Sequence, residues 1–169
     1  MQIPAFSIDL FIILGTALVC LYGAMAGQGA LIRETISVYV GIVLASTFAE
    51  PLYSYSQKQA GGGFGVSQTI IGLLLLILPI LILLVASRHH HIRRHTSLII
   101  TFIIAVLAAM LLISNIIAQF DPVAIQRITE ESNLAYQIYT YKLAWLGLVP
   151  LAIGASVIFH RSEEKKRRH

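Results

Sequence analysis

The amino-acid sequence predicts an all-α integral membrane protein with five transmembrane helices and an amphipathic interfacial helix before the last of them. Three observations carry this expectation. Apolar residues make up 57% of the 169-residue chain and charged residues only 12%, with a mean hydropathy of +0.79; a soluble domain carries roughly twice that share of charge. The charges are also segregated: 23 uncharged residues separate Asp9 from Arg33, 29 separate Lys58 from Arg88, and 26 separate Arg94 from Asp121. Each run reaches the roughly 20 residues that a helix needs to cross the hydrocarbon core. Finally, the basic residues cluster beside apolar runs, as they do in the cytoplasmic loops of multi-pass proteins. No nucleic-acid-binding motif accompanies the net charge of +4, so a nucleic-acid partner is not expected. The single Cys20 lies within an apolar run and forms no intramolecular disulfide.

The first span is expected over residues 6–25. Ala24-Met25-Ala26 resembles a signal-peptidase site, but the flank ahead of the apolar run carries Asp9 and no Lys or Arg, so the segment reads as a retained helix. Gly15, Gly23 and Gly27 lie on one stripe of it, with Thr16, Cys20 and Ala24 alongside. The second segment, residues 31–49, answers with Ser37, Gly41, Ala45 and Ala49 at every fourth position. Lipid gives helices little hydrophobic reason to associate, so close approach at small residues counts for more. The two stripes therefore predict a tight antiparallel hairpin joined by the GQGA turn.

That second segment is the difficult one. Only 15 residues separate Glu34 from Glu50, which at about 1.5 Å of rise gives roughly 22 Å against a core of about 30 Å. It either spans with its ends at the boundary or re-enters. Arg33 and Glu34 then sit at or just inside the interface, and adjacent helical positions point about 100° apart, so each needs another partner or water. With Asp9 they are the candidate functional charges, because ionisable groups inside a membrane mark functional sites. The competing reading is that they are interface anchors.

Asp9 just before the first apolar run, glycines at the far end of that run, Arg33-Glu34 opening the next helix, and the exit Glu50-Pro51-Leu52-Tyr53 together resemble the CvpA family, over residues 7–57. These are the colicin V production proteins, small proteins of the bacterial inner membrane. The resemblance implies a role in toxin production or export and in envelope homeostasis, and it implies no particular enzymatic activity.

Residues 50–68 read as a polar, glycine-rich connection; Gly61 to Gly65 lack the Lys-Ser/Thr ending of a phosphate loop. The third span, 69–87, is rich in Leu and Ile, should face lipid broadly, and should kink at Pro79. Four histidines lie between Arg88 and His95. Arg88, Arg93 and Arg94 repel a metal ion, so this loop is expected to meet anionic lipid headgroups on the cytoplasmic side. In the fourth span, 97–119, Thr101, Ala105 and Ala109 continue the small-residue pattern, and Asn115 is expected to bond a neighbouring helix. Asp121-Pro122 reads as an N-cap with proline at the first helical position. It opens a surface helix over 122–140 with Ile125, Ile128, Ala135 and Ile138 on one side. Tyr136, Tyr139, Tyr141 and Trp145 form an aromatic belt before the last span, 143–159, and a basic tail occupies 160–169.

Counting Lys and Arg over five spans places nine on the side of the His-Arg loop and three on the other, which predicts an external N-terminus and a cytoplasmic C-terminus. With a re-entrant second segment the count becomes eight to four, and the C-terminus stays inside. The sequence contains no catalytic constellation and no metal or cofactor motif. The expected function is therefore that of a self-associating or scaffold protein, partnered by the bilayer, by further copies of itself and by envelope or export proteins. The alternative is a small oligomeric channel or transporter with Arg33 and Glu34 near its water path.

Overall fold

The computed structural model describes residues 5–59, 67–86 and 98–166. Seven helices follow one another: α1 (Ala5–Ala26), α2 (Gln28–Gln59), α3 (Gln68–Ala86), α4 (Leu98–Ile117), α5 (Pro122–Glu131), α6 (Asn133–Thr140) and α7 (Lys142–Lys166). There is no strand among the described residues. Helices α1 to α4 are each long and apolar enough to cross a membrane, and α6 with α7 forms a further apolar unit bent by 68° at the joint. The chain is an all-α, multi-pass membrane protein.

The helices are arranged around α4. Its sequence alternates bulky residues with Thr101, Ala105, Ala108, Ala109 and Ser114, and it buries all of these together with Ile104, Leu111 and Ile117. Small residues let several helices approach one axis closely, and α4 touches α1, α2, α6 and α7. Three apolar clusters stack along it. Near its start Leu31 meets Ile104 and Ala105; in the middle Val38 and Val149 meet Leu111; at its end Ile12, Ala135 and Ile138 meet Ile117. These levels fix the directions: α2 runs with α4, whereas α1 and α7 run against it. The start of α1 and the end of α7 thus lie at opposite ends of the bundle.

Two features of the first third differ from the sequence-based expectation. The second helix is not short: α2 has 32 residues and continues through Pro51, a length of about 48 Å. It is therefore one unbroken helix, long and apolar enough to cross the membrane, and the chain does not turn back within it. Glu50 ends the apolar stretch without ending the helix, because carbonyls beyond the hydrocarbon can bond water and the donor lost at Pro51 does not have to be replaced. The small-residue stripes do not mate either, although α1 and α2 are antiparallel and joined by a single residue. Gly27, at φ +83°, is the one residue between α1 and α2, with its amide donating to the Gly23 carbonyl at 2.9 Å. This left-handed conformation is open to glycine and strained for other residues.

Beside that joint α1 meets α2, where a Cβ on Gly23 would lie 3.4 Å from Leu31 and 3.5 Å from Ala105. The stripe containing Ser37, Gly41 and Ala45 is buried, but it serves α3: a Cβ on Gly41 would stand 2.4 Å from the Leu76 carbonyl oxygen. Gly15 and Gly27 have nothing within 4 Å of the corresponding position. Small residues permit close approach without selecting the partner, and here α4 has taken α1 while α3 has taken α2.

Helix α3 buries only Gly72, Leu76 and Pro79, its other residues being exposed or partly exposed, and it continues through Pro79 as one helix. The surface segment is divided at Ser132 into α5 and α6. Asp121 caps α5 as expected, accepting from the Ala124 amide at 2.9 Å, with Pro122 at the first helical position. Ile125, Ile128, Ala135 and Ile138 do share one side, which packs on the ends of α1 and α4. The last helix begins at Lys142, and at the joint Lys142 Nζ sits 4.9 Å from the centroid of the Tyr139 ring.

The α2–α3 crossing gives a direct test. Gly41→Ala is expected to destabilise the detergent-solubilised protein by about 1–3 kcal/mol, because a carbonyl in the backbone of α3 must move. Gly15→Ala, at an open position, should leave the thermal midpoint unchanged or raise it.

Candidate functional site

Most hydroxyls inside the spans are satisfied within their own helix. Thr16 donates to the Ile12 carbonyl at 2.8 Å, Thr35 to Leu31 at 2.7 Å, Ser37 to Glu34 at 2.6 Å, Ser114 to Leu111 at 2.9 Å and Ser156 to Ile153 at 2.6 Å. Asn115 does the same, its Nδ2 donating to the Leu111 carbonyl at 2.8 Å. Among the described residues the expected bond from Asn115 to another helix is not formed, because a carbonyl one turn back lies within reach of a short amide side chain.

Three polar contacts between helices occur where a helix is interrupted. Pro150 has no amide hydrogen, so the Leu146 carbonyl one turn earlier lacks its helical donor. The Tyr39 hydroxyl of α2 supplies one at 2.8 Å. At the bend between α6 and α7, Trp145 Nε1 donates to the Ile138 carbonyl at 3.0 Å. At the joint between α5 and α6, the Ser132 hydroxyl accepts from the Ala135 amide at 2.9 Å and donates to the Asp9 carboxylate of α1. Ser132 is 1% exposed. Asp9, one of the three candidate charges, thus ties α1 to this joint.

Glu34 is different. It stands about 9 Å along α2 from Gln28 and is 8% exposed. The Tyr22 hydroxyl of α1 donates to its Oε1 at 3.5 Å, the outer limit of a hydrogen bond. Its Oε2 is enclosed and has no partner among the described residues, Arg33 included. Arg33 itself is half-buried. Gln28, Thr35 and Ser37 are further buried polar residues of the same helix. The expectation that Glu34 would need a partner away from its own neighbour in sequence is met in part by Tyr22.

The structure thus brings Arg33, Glu34 and Tyr22 together near the α1–α2 joint and leaves Asp9 some 20 Å away, 13 residues earlier on α1. Gly41 meets Leu76 of α3, with Ser37 and Ala45 buried on the same stripe, Gly23 faces Leu31 and Ala105, and Gly15 faces open space. The small residues Cys20 and Ala24 leave an apolar groove of about 330 Å³ between α1 and the start of α4, bounded also by Leu98, Ile99 and Phe102. The headgroup-loop residues Arg88, Arg93 and Arg94, the Gly61–Gly65 connection and the side chains of the basic tail lie outside the described residues. Sequence reasoning missed Tyr22, Tyr39 and Ser132 as partners. Pro150 signalled that a carbonyl would be freed, but not that a residue 107 positions away from Leu146 would meet it. No known protein family, curated protein or solved structure matches the chain.

The Tyr39 contact predicts non-additive stabilities. Tyr39→Phe should cost about 1–2 kcal/mol, since it strands the Leu146 carbonyl in an apolar surround. In a Pro150→Ala background the same change should cost much less, because the residue 150 amide then takes that carbonyl. Unfolding midpoints of the four members of the cycle read the coupling.

Proposed function

We propose that this chain is a non-enzymatic membrane protein that associates with copies of itself in the plane of the bilayer and acts as a scaffold. The observation that supports the reading is the outer face of α7. Ala144, Gly147, Leu151, Gly154 and Ile158 follow at intervals of three and four and are all exposed, with Leu151 and Ile158 at 70% and 71%. A Cβ on Gly147 or Gly154 would meet nothing within 4 Å among the described residues. Each of these glycines weakens the helix by about 1 kcal/mol relative to alanine, and no neighbour within the chain uses the room it leaves. A second helix approaching closely would use it.

The resemblance of residues 7–57 to the colicin V production proteins supports a place in the bacterial inner membrane. It also supports a role in toxin production or export, or in envelope homeostasis, alongside other envelope proteins. The excess of nine basic residues to three favours the orientation with the C-terminus cytoplasmic. A tag following His169 should then be reached by an impermeant reagent only after the cells are opened; reaction in intact cells would reverse the orientation.

Gly41 and Ala45 are occupied within the fold, so the test of assembly falls on α7. Gly147→Leu combined with Gly154→Leu should convert an oligomer to a monomer in lipid nanodiscs, measured by mass, with the thermal midpoint little changed. An oligomer of unaltered size would defeat the scaffold reading. A second reading, a small oligomeric channel or transporter, is favoured by the enclosed carboxylate of Glu34. It expects ion flux through proteoliposomes that Glu34→Gln and Arg33→Ala both alter, and absence of flux from folded protein would remove it.

A further inference from the structure

Glu34 presents one negative group with an unmet oxygen inside a membrane helix bundle. Among the described residues, the helices packed here bring few titratable groups to its level. On α1 the titratable groups at this level are Cys20 and Tyr22; α3 has none from Gln68 to Ala86, and α4 has none from Leu98 to Ile117. One turn before Glu34, Leu31 meets Ile104 and Ala105 of α4, with Ile153 of α7 packed against the same cluster. On α2 itself Arg33 is adjacent and half-buried, yet Oε2 remains without a partner among the described residues. An unmatched carboxylate in such a place is costly, and its usual remedies are a cation, a proton or water.

The enclosure restricts what can supply the match. Oε2 has no room facing solvent or lipid, which excludes an organic cation. No three His, Cys, Asp or Glu side chains come together among the described residues, so the single carboxylate is matched in charge by a monovalent ion and not by a divalent one. Two hydroxyl oxygens stand close by on the chain or in space. Tyr22 Oη is 3.5 Å from Oε1, and Ser37 Oγ, while donating to the Glu34 carbonyl at 2.6 Å, keeps its lone pairs.

We propose that Glu34, with the Tyr22 hydroxyl beside it, is a buried binding site for a monovalent cation, either a proton or a small alkali ion. Binding there joins α1 to α2 two turns from the Gly27 joint. The site concerns occupancy alone and holds for a scaffold as for a carrier.

The experiment is carbodiimide labelling of the whole protein in liposomes. Dicyclohexylcarbodiimide partitions into lipid and adds to carboxyl groups in their protonated form, and peptide mass spectrometry locates the adduct. Exposed Glu130 on α5 serves as the reference carboxyl in the same digest. Glu34 should be labelled at acidic pH in choline chloride, with the label lost at alkaline pH. Suppression of the label several-fold by sodium or potassium chloride identifies an alkali ion as the occupant; labelling indifferent to these salts identifies the proton. Failure of Glu34 to label at acidic pH in choline chloride, or labelling equal at all pH values and in all salts, overturns the site. Tyr22→Phe should shift the midpoint of the pH or salt dependence, and an unmoved midpoint removes Tyr22 from it. Oligomer mass and ion flux are separate measurements, so failure here leaves the readings of assembly and transport to be judged on their own.

Discussion

A chain in hydrocarbon has no water with which to pair its polar groups, and this constraint accounts for most of the architecture. Helices satisfy the backbone along their length. Hydroxyl side chains at Thr16, Thr35, Ser37, Ser114 and Ser156 return to carbonyls of their own helix. What remains are the interruptions, and those at Ser132, Tyr141 and Pro150 are each met by a side chain from elsewhere in the chain: Asp9, Trp145 and Tyr39. These contacts do two things at once. They remove unsatisfied groups from lipid, and they lock α1, α2 and α6 to α7 or to the α5–α6 joint in one register.

Against that background Glu34 Oε2 stands out as the one buried side-chain atom without a partner among the described residues. The rest of the bundle invests polar side chains in repairing its own backbone. A carboxylate that repairs nothing, placed beside a tyrosine hydroxyl and one residue from an arginine, differs in kind from Asp9, which is engaged at a joint. The distinction between the two acidic residues rests on their neighbours, since both stand within or beside apolar helices.

The two functional ideas occupy different faces. The proposed assembly surface is on the outside of α7, where glycines leave room that the chain does not fill. The proposed ion site is interior, where Tyr22 of α1 meets Glu34 of α2, one turn from the cluster around Leu31. Helix α4 lies between them, touching α1, α2 and α7. Ala105 of α4 and Ile153 of α7 belong to one packed cluster with Leu31 of α2.

The sequence by itself determined the class, the presence of several helices apolar enough to cross a membrane, the cap at Asp121 and the inward side of the surface segment. Each of these follows from composition, period or a local cap, which act over a few residues. It also singled out Arg33 and Glu34 as charges in need of partners. The partners were decided by the tertiary structure. Small-residue stripes on α1 and α2 read as mates, yet Gly41 receives Leu76 and Gly23 faces Leu31 and Ala105, because smallness allows approach from any helix and carries no address. The true length of α2 was hidden by Glu50 and Pro51, which mark the edge of hydrocarbon and not the end of the helix. The pairing of Tyr39 with the carbonyl freed by Pro150 spans most of the chain, and only packing around α4 brings the two within a hydrogen bond.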